Sequence, residues 1–210
     1  MSMAVPVHRE SGVEWSVVSQ PLAGESVSGD LHVVARAPEG VLLAVIDGLG
    51  HGDEATVAAR KAVDVLSSRS GDPVTALVQQ CHDALRNTRG AAMTVVAVDY
   101  RARTATCLGI GNVETVLVRA DRQARPARET VLLRGGVVGY QLPALQPTVH
   151  AIAPDDVLVF ATDGVREGFG DGISAREPLP QLVGRIMAEN ARGTDDALVL
   201  ACKILGDDES

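Results

Sequence analysis

The chain has 210 residues and a formal net charge of −8, and 46% of its residues are apolar although only 2% are aromatic. This length suits one domain with a substantial core, because single domains typically contain about 100 to 200 residues. The negative charge argues against nucleic acid or an anionic membrane as the main partner, since both would repel the protein. We therefore predict a single domain over residues 1–210 that binds neither.

Cysteine usage and the N-terminal sequence bear on the compartment. Cys81, Cys107 and Cys202 lie far apart and show no CxxC spacing. Such a set is typical of buried thiols in a reducing compartment rather than of disulfides or a zinc site. The N-terminus lacks a charged leader followed by a long apolar run, and no window reaches the length of a transmembrane helix. The sequence therefore predicts a cytoplasmic protein.

The first half of the chain alternates between strand and helix patterns. Apolar runs bounded by turn residues predict strands at 13–19, 31–37 and 41–46. Apolar residues at helical spacing then predict a helix over 53–69 and a second helix that begins near Asp72 and Pro73. Aspartate is a preferred N-cap and proline fits the first helical turn, so Asp72 is the expected cap.

The second half predicts more strands and one more helix. The predicted strands cover 91–99, 104–110, 113–119, 157–162 and 197–204, with weaker ones near 130–138 and 147–152, and the helix covers 179–187. Strand groups separated by helices indicate an α+β fold. We expect a four-layer α-β-β-α sandwich, in which two mainly antiparallel sheets are flanked by helices.

Aspartates stand at the ends of several predicted strands. Asp30 precedes one strand of the hairpin that turns at Pro38-Glu39-Gly40, and Asp47 follows the other strand. In an antiparallel pair these two positions lie at the same end of the sheet, where their charges repel unless a cation lies between them. Asp163 follows a later strand, and the pair Asp195-Asp196 precedes the last strand.

A cluster of carboxylates without histidine or cysteine partners favours Mg²⁺ or Mn²⁺ over zinc. Two such ions about 3.5–4 Å apart can clamp phosphoryl oxygens and hold an attacking hydroxide, which suits hydrolysis of a phosphate ester. Each aspartate alone is more simply a turn former or a helix cap. The glycines after Asp47, in the segment 48–52, have G-x-G-x-G spacing, and the neighbouring carboxylate disfavours a dinucleotide site.

Four segments resemble, in order, the motifs of metal-dependent serine/threonine protein phosphatases, and more narrowly those of the SpoIIE-like branch. They are ESVSGD at 25–30, IDGLGHG at 46–52, FATDGVREG at 160–168 and TDDALVL at 194–200. The segments RGAAMTVV and GIGNVET are similar to the RsbX-type stressosome phosphatases, which consist of the catalytic domain alone. This resemblance implies a β-sandwich with helices on both outer faces, in agreement with the predicted element order.

The resemblance also implies roles for individual residues. Asp47 would bridge two Mn²⁺ or Mg²⁺ ions, and the Gly48 carbonyl would bind one of them. Asp163 and Asp195 would hold the other ion. Two further aspartates complete the implied set, with Asp30 near the site and Asp196 behind it. The implied reaction is hydrolysis of phosphoserine or phosphothreonine on stressosome STAS-domain proteins by a hydroxide held between the ions, which resets a stress signal.

Two departures from the family pattern leave roles open. Eukaryotic relatives have a histidine directly after the Asp-Gly pair, where this chain has Leu49, so His51 becomes the candidate general acid. A histidine satisfied by the loop backbone is the alternative. Relatives also bring an N-terminal arginine to the phosphate, for which Arg9 is a candidate. Alternative functions are a catalytically silent protein that binds partners through the same fold, or a SpoIIE-type phosphatase for anti-anti-sigma factors.

Overall fold

The computed structural model describes residues 5–206, which form twelve strands and three helices. The first six strands are β1 (His8–Glu10), β2 (Val13–Gln20), β3 (Asp30–Ala37), β4 (Gly40–Gly48), β5 (Ala91–Asp99) and β6 (Thr104–Ile110). The remaining six are β7 (Glu114–Val118), β8 (Arg128–Thr130), β9 (Leu133–Arg134), β10 (Thr148–Ala151), β11 (Val157–Ala161) and β12 (Ala197–Ile204). The helices are α1 (Gly52–Ser68), α2 (Val74–Leu85) and α3 (Leu179–Asn190).

The strands form two sheets. Sheet A has the order β1-β2-β12-β11-β7-β8, and sheet B has the order β10-β6-β5-β4-β3 with β9 added beside β6. Every pairing between these strands is antiparallel except that of β6 with β9. Helices α1 and α2 cover the outer face of sheet B, and α3 covers the outer face of sheet A. The predicted α-β-β-α sandwich is therefore confirmed.

Strand β4 shows why an unbroken apolar run belongs at the centre of such a sandwich. Val41, Leu43 and Val45 point into the core between the two sheets. The alternate residues Leu42, Ala44 and Ile46 point outward and pack under α1 and α2. Because successive side chains of a strand face opposite sides, a strand covered on both faces must be apolar at every position. The end of β4 is therefore held rigidly by packing on both sides.

Several sequence predictions differ from the structure in detail. Strand β1 was not predicted, and the weak strand expected near 130–138 is replaced by β8 and β9, which belong to different sheets. The prediction that Asp72 caps α2 is wrong, because Pro73 occupies the N-cap position and the Asp72 carboxylate instead accepts a hydrogen bond from Gln80. Within residues 5–206, no side-chain hydrogen bond caps the first turn of α2.

The cysteine and membrane predictions can also be compared with the structure. All three cysteines are free and buried, as expected for packed thiols, and burial raises the pKa of Cys81 and of Cys107 to about 12. Over residues 5–206, the structure contains no helix with the length and apolar character that a bilayer crossing requires.

Truncation of a core side chain tests this architecture. Phe160 on β11 is fully buried between the sheets. We expect Phe160→Ala to lower the free energy of unfolding by about 3–5 kcal/mol, because it removes buried apolar surface and leaves a cavity. Urea denaturation followed by circular dichroism measures this change. Leu132→Ala, at a side chain that is 56% exposed, is the matched control and should change the stability little.

Candidate metal centre

Acidic residues from both sheets meet at one rim of the sandwich. Asp30 at the start of β3 lies directly opposite Asp47 near the end of β4. Asp163 follows the end of β11, and Asp195 and Asp196 precede the start of β12. Because β11 and β12 are antiparallel neighbours, the end of one lies beside the start of the other. Each sheet thus contributes one group of carboxylates to the rim.

Thr162 joins the two groups. Its hydroxyl donates a hydrogen bond of 2.7 Å to Oδ2 of Asp30, which belongs to the other sheet. The Thr162 hydroxyl oxygen itself accepts a hydrogen bond of 2.9 Å from the backbone N–H of Leu198 on β12. Thr162 and Asp30 are both almost completely buried. The carboxylates that lie far apart in the sequence are therefore brought together across the sandwich.

Asp196 makes a second connection between the sheets. Its Oδ2 accepts a hydrogen bond of 2.7 Å from the N–H of Gly29, and its Oδ1 accepts one of 2.7 Å from the N–H of Leu22. Asp196 is 3% exposed. Since both carboxylate oxygens bind backbone donors, Asp196 fastens the loop that leads into β3 onto the start of β12.

The Asp-Gly pairs at the ends of β4 and β11, Asp47-Gly48 and Asp163-Gly164, are explained by close backbone contacts. A Cβ atom on Gly48 would lie 2.2 Å from the carbonyl oxygen of Ala55 in α1. A Cβ atom on Gly164 would lie 2.0 Å from the carbonyl oxygen of Asp196. Neither distance is tolerable for a side chain, so only glycine lets the backbone pass at these points. The Asp47-Gly48 pair thus leads from β4 toward α1 rather than closing a hairpin.

Three carboxylates of the rim, Asp30, Asp47 and Asp163, have raised pKa values. Burial, followed by the charges of nearby aspartates, raises the pKa of Asp30 to about 7 against the lowering effect of the Thr162 hydrogen bond. The same two causes raise the pKa of Asp47 to about 8. Burial and the charge of Asp195 also raise the pKa of Asp163. Over residues 5–206, no lysine or arginine forms an ion pair with these carboxylates.

The remaining donors of the predicted metal set lie on the same rim. A Cβ on Gly29 would lie 3.3 Å from the Gly48 carbonyl oxygen and 3.2 Å from Oδ2 of Asp196, so these two oxygens flank one point of the loop. Asp195 is half-buried, and its Oδ1 accepts the N–H of Asp196 at 2.9 Å. Within the described part of the chain, no three acidic, histidine or cysteine side chains are already arranged to hold one ion.

His51 lies at the N-cap position of α1, at the edge of this rim. Its Nδ1 is 2.7 Å from Oε1 of Glu25, and the imidazole is exposed. The partner is a carboxylate rather than the loop backbone that the alternative interpretation expected. The other ring nitrogen, Nε2, has no hydrogen-bond partner among residues 5–206. No hydrogen bond within those residues joins His51 to the aspartate cluster.

Arg9 is excluded as a residue of this rim. Arg9 on β1 pairs with Glu14 on β2, and Glu14 pairs with Lys203 on β12. Lys203 is at the opposite end of β12 from Ala197, and a strand rises about 3.3 Å per residue, so the distance to the rim is about 20 Å. The side chain of Arg9 forms an ion pair with Glu14. The candidacy of Arg9 is therefore wrong.

Three residues of the rim were not identified from the sequence. Thr162 directly precedes Asp163, but it was assigned only as the last residue of the predicted strand 157–162. Asn112 donates a hydrogen bond of 2.6 Å from Nδ2 to Oδ2 of Asp163 across the space between two turns, and no sequence spacing indicates that contact. Arg192 donates its backbone N–H to the Gly164 carbonyl at 2.8 Å, and its charge lowers the pKa of Asp163.

Comparison with known proteins gives consistent results. A curated relative from Bacillus subtilis (strain 168), named phosphoserine phosphatase RsbX, is 25% identical over 113 residues. That match covers 54% of this chain and 57% of the relative, so the chain spans little more than half the length of the relative it matches.

Solved structures show the same fold over nearly the whole chain. One solved structure comes from a study of the bacterial stressosome as a modular system adapted to control secondary messenger signalling. It is 28% identical to this chain, with a TM-score of 0.81, and the match covers 91% of this chain and 99% of that chain. A crystal structure of RsbX in complex with magnesium has a TM-score of 0.84 at 17% identity and covers 95% of this chain and 99% of that one.

A family model described as Stage II sporulation protein E (SpoIIE) matches residues 37–205. This range contains β4, both Asp-Gly pairs and every helix of the sandwich. Because the match extends over most of the chain, the protein belongs to the SpoIIE family.

Proposed function

We propose that the protein is a metal-dependent phosphatase that hydrolyses phosphoserine and phosphothreonine in proteins. The observation that carries the proposal is the directly opposed pair of buried Asp30 and half-buried Asp47, whose pKa values are raised to about 7 and about 8 at a rim where their charges are not balanced. Membership in the SpoIIE family and the phosphoserine phosphatase name of a relative support the same reaction.

The donor chemistry of the rim fits a hard divalent cation. Carboxylate and carbonyl oxygens suit Mg²⁺ and Mn²⁺, and a cation would offset the repulsion that raises these pKa values. We propose that Asp47, the Gly48 carbonyl, Asp163 and Asp195 hold two such ions. When bound, the ions supply positive charge to the phosphoryl oxygens and activate a water molecule for attack.

The residues around the proposed ligands have distinct positioning tasks. The Thr162 hydroxyl fixes the orientation of Asp30, and the Asn112 amide fixes one oxygen of Asp163. Asp196 holds the loop that carries Gly29 against the start of β12. These fixed orientations reduce the reorganisation needed to bind an ion, because neighbours already determine where each oxygen points.

His51 is our proposed proton donor to the departing serine or threonine oxygen. Its Nδ1 is engaged by Glu25, which leaves Nε2 to face a substrate. A leaving alkoxide requires a proton, and a histidine is the side chain that changes charge most readily near neutral pH.

We propose phosphorylated STAS-domain proteins of a stressosome as the substrates. The relative named RsbX and the structure from a stressosome study support this assignment. Dephosphorylation of such scaffold proteins would reset a stress signal. The same assignment places the enzyme in the cytoplasm, as the cysteine pattern predicts.

Replacement of Asp47 tests the phosphatase proposal. We expect Asp47→Asn to lower Mn²⁺-dependent hydrolysis of p-nitrophenyl phosphate by about 100-fold or more, because an amide replaces a charged metal ligand. Steady-state rates measured over a range of Mn²⁺ concentrations give the change. Asp64→Asn, at an exposed position on α1, removes the same charge and should leave the rate unchanged. Wild-type protein without Mn²⁺-dependent turnover would instead support the catalytically silent alternative.

The raised pKa values also predict how stability depends on pH. A carboxyl group whose pKa is raised in the folded state binds its proton more tightly there than in the unfolded chain. Its contribution to stability is therefore fully present below the pKa of the unfolded state and is lost as the pH rises through the pKa of the folded state. We therefore expect the metal-free protein to lose stability between about pH 4 and about pH 8.

Thermal unfolding in a chelator at several pH values measures this loss. Asp47→Asn should flatten the profile and raise the unfolding free energy at pH 8 by about 1 kcal/mol, since it removes one of the repelling charges. Addition of Mn²⁺ should restore stability to the wild type at pH 8 more than to the variant. Identical profiles for the two proteins would contradict the assigned repulsion.

Arg192 is the cation that we expect to orient the substrate phosphate. Its side chain is exposed, its charge reaches Asp163 and Glu114, and its guanidinium has no hydrogen-bond or ion-pair partner within residues 5–206. We expect Arg192→Ala to lower kcat/KM for a phosphoserine peptide about tenfold through KM, with partial recovery in Arg192→Lys. Arg60→Ala on α1 is the control. An equal loss in the alanine and lysine variants, or a loss of Mn²⁺ affinity alone, would contradict this role.

A further inference from the structure

A cavity on the outer edge of sheet A lies apart from the aspartate rim. It is enclosed by the β7–β8 hairpin and by the segment 172–176, and its volume is about 360 Å³. We call it the arginine groove, because four of its lining side chains are arginines and only one is acidic. The arginines are Arg119, Arg122, Arg128 and Arg176, and the acid is Asp121.

Two of these arginines are already neutralised by the protein. Arg119 forms ion pairs with Glu129 and Asp156, and it is 14% exposed. Arg128 forms an ion pair of 2.9 Å with Asp171. Their guanidinium groups therefore serve mainly to build the walls of the arginine groove.

The other two arginines retain their binding capacity. Arg122 and Arg176 are both exposed, and neither guanidinium has a hydrogen-bond or ion-pair partner among residues 5–206. An arginine side chain presents a planar set of N–H donors that matches the geometry of a carboxylate or a phosphate. The arginine groove thus has two available anion-binding groups facing one space.

The floor of the arginine groove is apolar and firmly held. Val118, Ile173 and Ala175 line it and are themselves nearly buried. Asp156 is 2% exposed and accepts hydrogen bonds from the backbone N–H groups of Ala120 and Ala153 at 2.9 and 3.1 Å. These bonds fix the end of β7 beside the start of β11. The β7 side of the arginine groove is therefore fixed by the protein itself.

Charge decides what kind of ligand suits this surface. The chain carries a net charge of −8, yet the ten residues 119–128 contain four arginines and one aspartate. A nucleic acid would extend beyond the arginine groove and meet the negative surface around it. A short acidic protein segment with apolar side chains matches both the available arginines and the apolar floor. We propose that the arginine groove binds such an acidic segment of a partner protein.

The position of the arginine groove would keep a bound partner near the metal centre. A second cavity shares Arg128 with the arginine groove and extends to Glu114 on β7. Glu114 lies opposite Ala161 on β11, which is two residues before Asp163. Val118, at the other end of β7, lies opposite Val157. Because Val157 precedes Asp163 by six residues, the two regions are separated by about 20 Å along the strand direction. A partner held at the arginine groove would raise the local concentration of its neighbouring segments at the rim.

Peptide binding tests the proposal directly and does not depend on turnover. Fluorescence anisotropy would follow a fluorescein-labelled glutamate-rich peptide with interspersed valines as the protein is added. We expect saturable binding by the wild type and at least about tenfold weaker binding by Arg122→Ala/Arg176→Ala, because the variant lacks both available guanidinium groups. The lysine counterpart of the peptide should not bind.

The control variant Arg60→Ala/Arg101→Ala removes the same charge from exposed positions outside the arginine groove. It should bind the peptide like the wild type, and both double variants should keep wild-type hydrolysis of p-nitrophenyl phosphate. Three results would overturn the proposal: no saturable binding, equal weakening in the two double variants, or tighter binding of a single-stranded oligonucleotide through Arg122 and Arg176. A failure of all proteins to hydrolyse p-nitrophenyl phosphate would instead count against the phosphatase proposal.

Discussion

The rim of the sandwich is governed by carboxylates that the fold holds close together and partly removes from water. Asp30 and Asp47 are opposed across two paired strands, and Asp163 and Asp195 approach them from the other sheet. Packing on both faces of β4 prevents its end from moving away to relieve the repulsion. Burial and mutual repulsion both disfavour the charged forms of these carboxylates, and a divalent cation is the ligand best suited to offset both effects.

Much of this arrangement could be predicted from the sequence because its causes are local. The run VLLAVI shows that β4 is covered on both faces, and the turn at Pro38-Glu39-Gly40 fixes the pairing that sets Asp30 against Asp47. Asp-Gly pairs follow the apolar runs of β4 and β11, and the structure adds the reason for both glycines. At both places another backbone passes too close for a side chain to fit.

What the sequence did not reveal depends on contacts between distant segments. The hydrogen bond between Thr162 and Asp30 crosses from one sheet to the other, and no pattern within either strand encodes it. The contact between Asn112 and Asp163 joins two turns in the same way. For Arg9 the sequence instead suggested a contact that does not exist. Its place near the N-terminus suggested a role in binding phosphate, which the strand register excludes. The family resemblance located the motifs but not these supporting contacts.

The link between Thr162 and Asp30 has a consequence for the lifetime of the protein in a cell. Since the two sheets are joined at this rim, an ion bound there by residues of both sheets would add a further connection between them. Proteases cleave a chain mainly when it opens, and a ligand that binds only the closed form lowers the open population. Starvation for manganese or magnesium would then reduce the amount of this protein as well as its activity, and would do so without any change in its synthesis.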